Sequence, residues 1–128
     1  MNPKNTLTAI GVLSILQGIG FFIGAETLTE QSFPTELLEG GGLVVGTAMH
    51  WPLSVACIVI GIIILSTRSL EMKDAKKVLL SIGIADLFFL INGLLQHFTT
   101  PVNVPVPAIG LIALISILAF YTALKKPN

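Results

Sequence analysis

Residues 78–97 read VLLSIGIADLFFLINGLLQH, an apolar run broken by Asp86 near its middle and closed by His97. A run of this length is enough for one helix to cross a bilayer. At about 3.6 residues per turn, Gly83, Asp86, Gly93 and His97 fall within roughly 80° of one another on a single helical face. A carboxyl group at mid-membrane is costly unless it is neutral, paired or wet, so this stripe is expected to face protein rather than lipid.

The rest of the chain supports a membrane reading of that stretch. Of 128 residues, 53% are hydrophobic and 11% charged, with a mean hydropathy of +0.89. Soluble domains carry about 25% charged residues. The length suits one domain, with spans expected at about 7–25, 48–67, 77–97 and 107–124. The formal net charge of zero gives no electrostatic reason to expect a nucleic-acid partner. Cys57 is the only cysteine, so no internal disulfide can form, and a lone thiol in an apolar run reads as a small apolar filler.

Leu7–Ala25 is the first span and is expected to be a retained helix rather than a cleaved leader. Residues 26–42 carry Glu26, Glu30, Glu36 and Glu39 and no basic residue. Pro34-Thr35-Glu36 is expected to open a short helix there, which Gly40-Gly41-Gly42 would end. The second apolar run, Leu43–Thr67, contains His50-Trp51-Pro52. Proline suits the first turn of a helix, so the regular second helix is expected to begin near Trp51 after an irregular approach. Arg68–Lys77 reads as a tight charged turn, and Phe98–Pro107 as an uncharged proline-rich loop.

Charge placement gives the topology. Lys4, Arg68, Lys73, Lys76, Lys77, Lys125 and Lys126 lie at the two ends of the chain or in the second connection, and the other two connections have no basic residue. The positive-inside rule then places both termini and the 68–77 turn in the cytoplasm, in the cell's inner (plasma) membrane. The expected fold is an all-α membrane protein, a four-transmembrane-helix antiparallel bundle. Leu13-Ser14-Ile15 with Phe21-Phe22 recurs as Leu80-Ser81-Ile82 with Phe88-Phe89 at the same spacing, as two duplicated hairpins would give. Chance recurrence in so apolar a chain is the competing explanation.

Two constellations bear on chemistry. On the second span His50, Ser54, Cys57 and Gly61 share one face, and the two stripes could oppose each other with His50 and His97 at one depth. Two imidazoles, with Glu26 or another glutamate of the 26–42 segment, would suit zinc, copper or iron, and facing imidazoles can ligate haem. The plainer reading is a pair of interfacial histidines beside Trp51, and no HxxxH or CxxC pattern is present. Asp86, with Gln17, Asn92 and Ser54, reads either as a polar contact for a ligand, proton or cation, or as glue between helices. Neither a Gly-rich phosphate loop nor a nucleophile elbow is present.

The segments GIGFFIGA (18–25), IVIGIIILSTR (58–68) and ALISILAFYTALKK (113–126) give the chain a resemblance to the small four-helix bacterial membrane proteins of the DoxX-like group. That resemblance covers most of the chain and implies a role as a subunit or helper of redox and membrane complexes. It carries over no catalytic residue, and the paired cysteine of thiol chemistry is missing here. The expected function is a non-catalytic accessory subunit, with the lipid bilayer and a protein partner or second copy as its surroundings. The alternatives are a quinone, haem or metal protein using Asp86 and His50/His97, and an oligomeric channel or carrier lined by Asp86.

Overall fold

A computed structural model describes residues 2–125. Helix α1 covers Pro3–Ile23, where Asn2 caps the first turn by accepting from the Lys4 amide at 3.0 Å and Pro3 opens the helix. A break at Gly24 separates it from α2, Ala25–Ser32. The Gly24 amide donates to Gly20 and the Leu28 amide to Gly24, both at 2.8 Å, so the hydrogen-bond ladder carries across the break. Pro34 ends this stretch by forcing Phe33 into extended backbone (φ −117°, ψ 142°).

Helix α3, Thr35–Leu38, follows Pro34 as expected, and a 3₁₀ turn over Glu39–Gly41 closes it. Gly40 and Gly41 have φ of 60° and 99°, a left-handed conformation that only glycine adopts without strain. Helix α4 is Gly42–Ser66, α5 is Met72–Thr99 and α6 is Val106–Leu124. Among the described residues, four helical stretches are long and apolar enough to cross a membrane, with mean hydropathies from 1.9 to 2.2.

Two helix starts differ from the sequence expectation. Residues 43–49 are regular helix, and Pro52 sits inside α4 instead of opening it. Packing overrides the proline: Gly46 is buried against Thr29 of α2, and the His50 ring bonds back to the Gly46 carbonyl at 2.9 Å. The charged 68–77 turn is also shorter than expected. A 3₁₀ turn at Thr67–Ser69 gives way at Met72 to α5, whose first turns carry Lys73, Lys76 and Lys77. Lysine and alanine are good helix formers, so charge alone does not keep those residues out of the helix.

The chain packs as two long hairpins. In the first, α1 and α2 run along α4; in the second, α5 runs along α6. The hairpins join at the end that carries Lys4, Arg68, Lys76 and Lys125, here called the basic end. There Leu7, Ile10, Ile64, Ala75, Leu79, Ile115 and Ala119 form the apolar core, and the Thr6 and Thr122 hydroxyls share a buried hydrogen bond of 3.0 Å. In the second hairpin burial fades toward the other, acidic end. On α5 the buried residues are Ala75, Leu79 and Gly83, and from Ile84 onward the helix is half-buried at best. At the acidic end the Asn103 amide donates to the Ser32 carbonyl at 2.7 Å, tying the α5–α6 loop to α2.

Candidate functional site

The polar stripe of α4 does not face α5. Ser54 is buried and donates to the Gly18 carbonyl of α1 at 2.6 Å, while Gly61 lies against the Gly11 carbonyl and Ile15. His50 reaches α2, with Nδ1 at 3.2 Å from Thr29 Oγ1 and its ring 6.3 Å edge-on from Phe21. Thr29 spends its own hydrogen on the Ala25 carbonyl at 2.8 Å. Its oxygen therefore accepts from His50 Nδ1–H, which also points at the Gly46 carbonyl, leaving the lone pair on Nε2. The expected opposition of the two stripes fails for a packing reason: the small residues of α4 are spent on close approach to α1. A methyl group at Gly18 would stand 2.6 Å from the Ser54 carbonyl oxygen, and one at Gly61 would stand 2.7 Å from the Gly11 oxygen.

The α5 stripe faces α6 instead. A methyl group at Gly83 would lie 3.1 Å from the Phe120 ring, and Ser116 of α6 donates to the Gly83 carbonyl at 3.1 Å. Further along the same face, Asp86 and His97 are half-buried. Asp86 Oδ2 and His97 Nδ1 are the buried side-chain polar atoms that find no hydrogen-bond partner among the described residues. Gly93 meets only Val104 of the loop, at 3.9 Å from where its Cβ would lie. His97 instead stands edge-on to Phe98, with ring centroids 5.2 Å apart.

The remaining sequence candidates separate. Gln17 is half-buried on α1, Ser54 is committed to Gly18, and Asn92 is exposed on the flank of α5. Cys57 is half-buried on α4 and has no disulfide. No group of three or more His, Cys, Asp or Glu residues among the described residues is placed to hold a metal ion.

Two contacts went unread in the sequence. Thr29 as the partner of His50 was foreshadowed by Ala25, Thr29 and Ser32, small residues at helical spacing that run from the end of the first span into the acidic segment. The Thr6–Thr122 bond joins residues 116 apart and has no local signal.

What this arrangement does chemically is hold helices together. Hydroxyls of Ser54, Ser116, Thr6 and Thr122 cross between helices, and the α5 stripe holds the buried polar side-chain atoms that stay unbonded among the described residues. The chain matches no protein-family model, no curated protein and no solved structure.

Proposed function

We propose that the chain is a multi-pass protein of the cell's inner membrane, with both termini cytoplasmic, and that it serves as a non-catalytic accessory subunit or assembly partner of a larger membrane complex. The observation that carries this reading is Asn92. Its carboxamide lies on the exposed flank of α5 in an otherwise apolar span, with Phe88, Ile91 and Leu95 exposed around it. An amide facing hydrocarbon without a hydrogen bond costs several kcal/mol, about 4–8 by water-to-cyclohexane transfer. Another transmembrane helix that bonds Asn92 removes that cost.

The sequence resemblance to helper proteins of the DoxX-like group points the same way, and so does the distribution of basic residues. Native mass spectrometry of the protein extracted in mild detergent tests the proposal. The expected result is a complex, with a second copy or a larger partner, that Asn92→Leu dissociates without lowering the protomer's melting temperature. A protomer that is always monomeric and partnerless overturns it.

A second reading has its own observation. Asp86 Oδ2 and His97 Nδ1 are buried on one face of α5 without a partner among the described residues, and, roughly 16 Å apart along the helix, each offers a separate polar contact to a quinone, haem or metal. A visible spectrum and elemental analysis of the purified protein test it, and absence of both chromophore and metal removes the haem and metal versions.

A further inference from the structure

The basic end holds a groove whose lining, apart from the Phe120 ring against Gly83, takes no part in the contacts described so far. It is lined by Phe120, Tyr121, Leu124 and Lys125 at the end of α6 and has a volume of about 370 Å³, within the range of small-molecule sites. Its walls are mostly apolar, and Tyr121 and Leu124 are 57% and 70% exposed, so the groove opens sideways from the helix into its surroundings.

The mouth of the groove is cationic. Lys76 reaches across from α5 to donate to the Lys125 carbonyl, one of the terminal carbonyls that α6 leaves without a partner inside the helix. The Lys76 ammonium thus lies against the backbone of Lys125, a lining residue, at one end of an apolar trough. Neither lysine forms an ion pair among the described residues: the carboxylate side chains at this end are Glu71 and Asp74, and the ion pair found joins Asp74 to Lys77 at 2.8 Å. Among the described residues, the side chains of Lys4, Arg68, Lys73, Lys76, Lys77 and Lys125 against those of Glu71 and Asp74 leave this end with four excess positive charges.

An occupant must therefore combine an anionic head with an apolar body, lying at the depth where the apolar part of α6 ends. We infer that the groove binds one anionic phospholipid, with its phosphate between Lys76 and Lys125 and the first methylenes of one acyl chain along Phe120 and Leu124. Tyr121, an amphipathic side chain of the membrane interface, stands beside the glycerol region. The lysine stems lie along the apolar surface while their ammonium groups reach the headgroup level. The site is separate from the Asn92 flank of α5, so it stands or falls independently of the subunit proposal.

The test is native mass spectrometry of the full-length protein released from mixed phosphatidylglycerol and phosphatidylethanolamine micelles. The wild type is expected to retain phosphatidylglycerol preferentially. Lys76→Gln with Lys125→Gln is expected to lower that preference by roughly tenfold, because each lysine near an anionic headgroup contributes several-fold. Lys4→Gln with Lys73→Gln removes the same charge away from the groove and is expected to keep the preference. Equal loss in both double variants means bulk charge alone attracts the lipid, and overturns the site. So does a wild type without preference. Lys125→Gln alone, whose side chain forms no hydrogen bond or ion pair among the described residues, keeps the test open if the Lys76 variant misfolds. Inorganic phosphate at millimolar concentration is expected to leave the lipid in place, and displacement by it overturns the requirement for the acyl chain.

Discussion

The two hairpins use the same device with different completeness. In each, a serine on the returning helix donates to a glycine carbonyl on the outgoing one, Ser54 to Gly18 at 2.6 Å and Ser116 to Gly83 at 3.1 Å. In each, a histidine stands four residues after a glycine near the acidic end, His50 after Gly46 and His97 after Gly93. The difference is α2. In the first hairpin it extends α1 alongside the start of α4 and gives His50 a threonine, whereas the second hairpin turns back through the short 100–105 loop and leaves His97 Nδ1 unbonded. A helical extension of eight residues thus separates a finished hairpin from an open-ended one. Unspent polar groups collect where packing stops early.

Substitutions can break or sharpen that contrast. The largest effect is expected from Gly18→Val, because its Cβ would meet Ser54 backbone at 2.6 Å, and backbone has little room to yield. A loss of about 3 kcal/mol or more should appear as a fall in melting temperature in detergent. Gly20→Val, on the same helix with nothing within 4 Å of its Cβ, should leave the melting temperature nearly unchanged.

Gly83→Ala should cost less, about 1 kcal/mol, since the group it meets is the Phe120 ring, which can turn. An equal cost for glycine-to-alanine changes at Gly18 and Gly83 would mean that the two hairpins are equally rigid, and would erase the contrast. The serines come next. Ser54→Ala should destabilise more than Ser116→Ala, as the 2.6 and 3.1 Å bonds indicate, within the range of about 0.6–1.7 kcal/mol for interhelical hydrogen bonds in lipid. Reversible unfolding in mixed micelles would measure both.

The smallest pair is the most diagnostic of α2. His50→Ala strands the Thr29 oxygen and should cost about 0.5–1 kcal/mol. His97→Ala removes a ring with an unbonded nitrogen and should stay within about 0.5 kcal/mol of the wild type. If His97→Ala proves the costlier of the two, His97 has a bonding partner that the isolated chain lacks.

The apolar helices were legible because length and hydropathy act locally: Val78–Leu95 and Ala108–Leu124 admit little but helix in lipid. The ending of the short helix at Gly40-Gly41 was legible for a similar reason, since positive φ selects glycine. Facing was not legible. His50, Ser54 and Gly61 form a stripe in either arrangement, and only three-dimensional packing decides that the stripe meets Gly11, Gly18 and Thr29 rather than α5. Pro52 misled because its preference for a helix start, worth about 3 kcal/mol, does not exclude a helix interior in which Gly46 and His50 are held against Thr29. Asp86 was rightly singled out as unusual, but its sequence neighbours could not reveal that it ends without a bond at Oδ2 while Asn92 turns outward.

The Thr6–Thr122 hydrogen bond bears on how the protein is made. It links residues 116 apart, so it forms only after the last helix has left the ribosome. The first hairpin can close as soon as residue 66 has emerged, well before α6 exists. Assembly is therefore expected to proceed in two stages, with the Thr6–Thr122 contact completed last. The same bond brings the first helix's start beside the last helix's end, so a short linker could join them and new ends be opened in the Gly40-Gly41 turn. A circular permutant of this kind that still folds would show that helix adjacency, rather than the order of synthesis, determines the final arrangement.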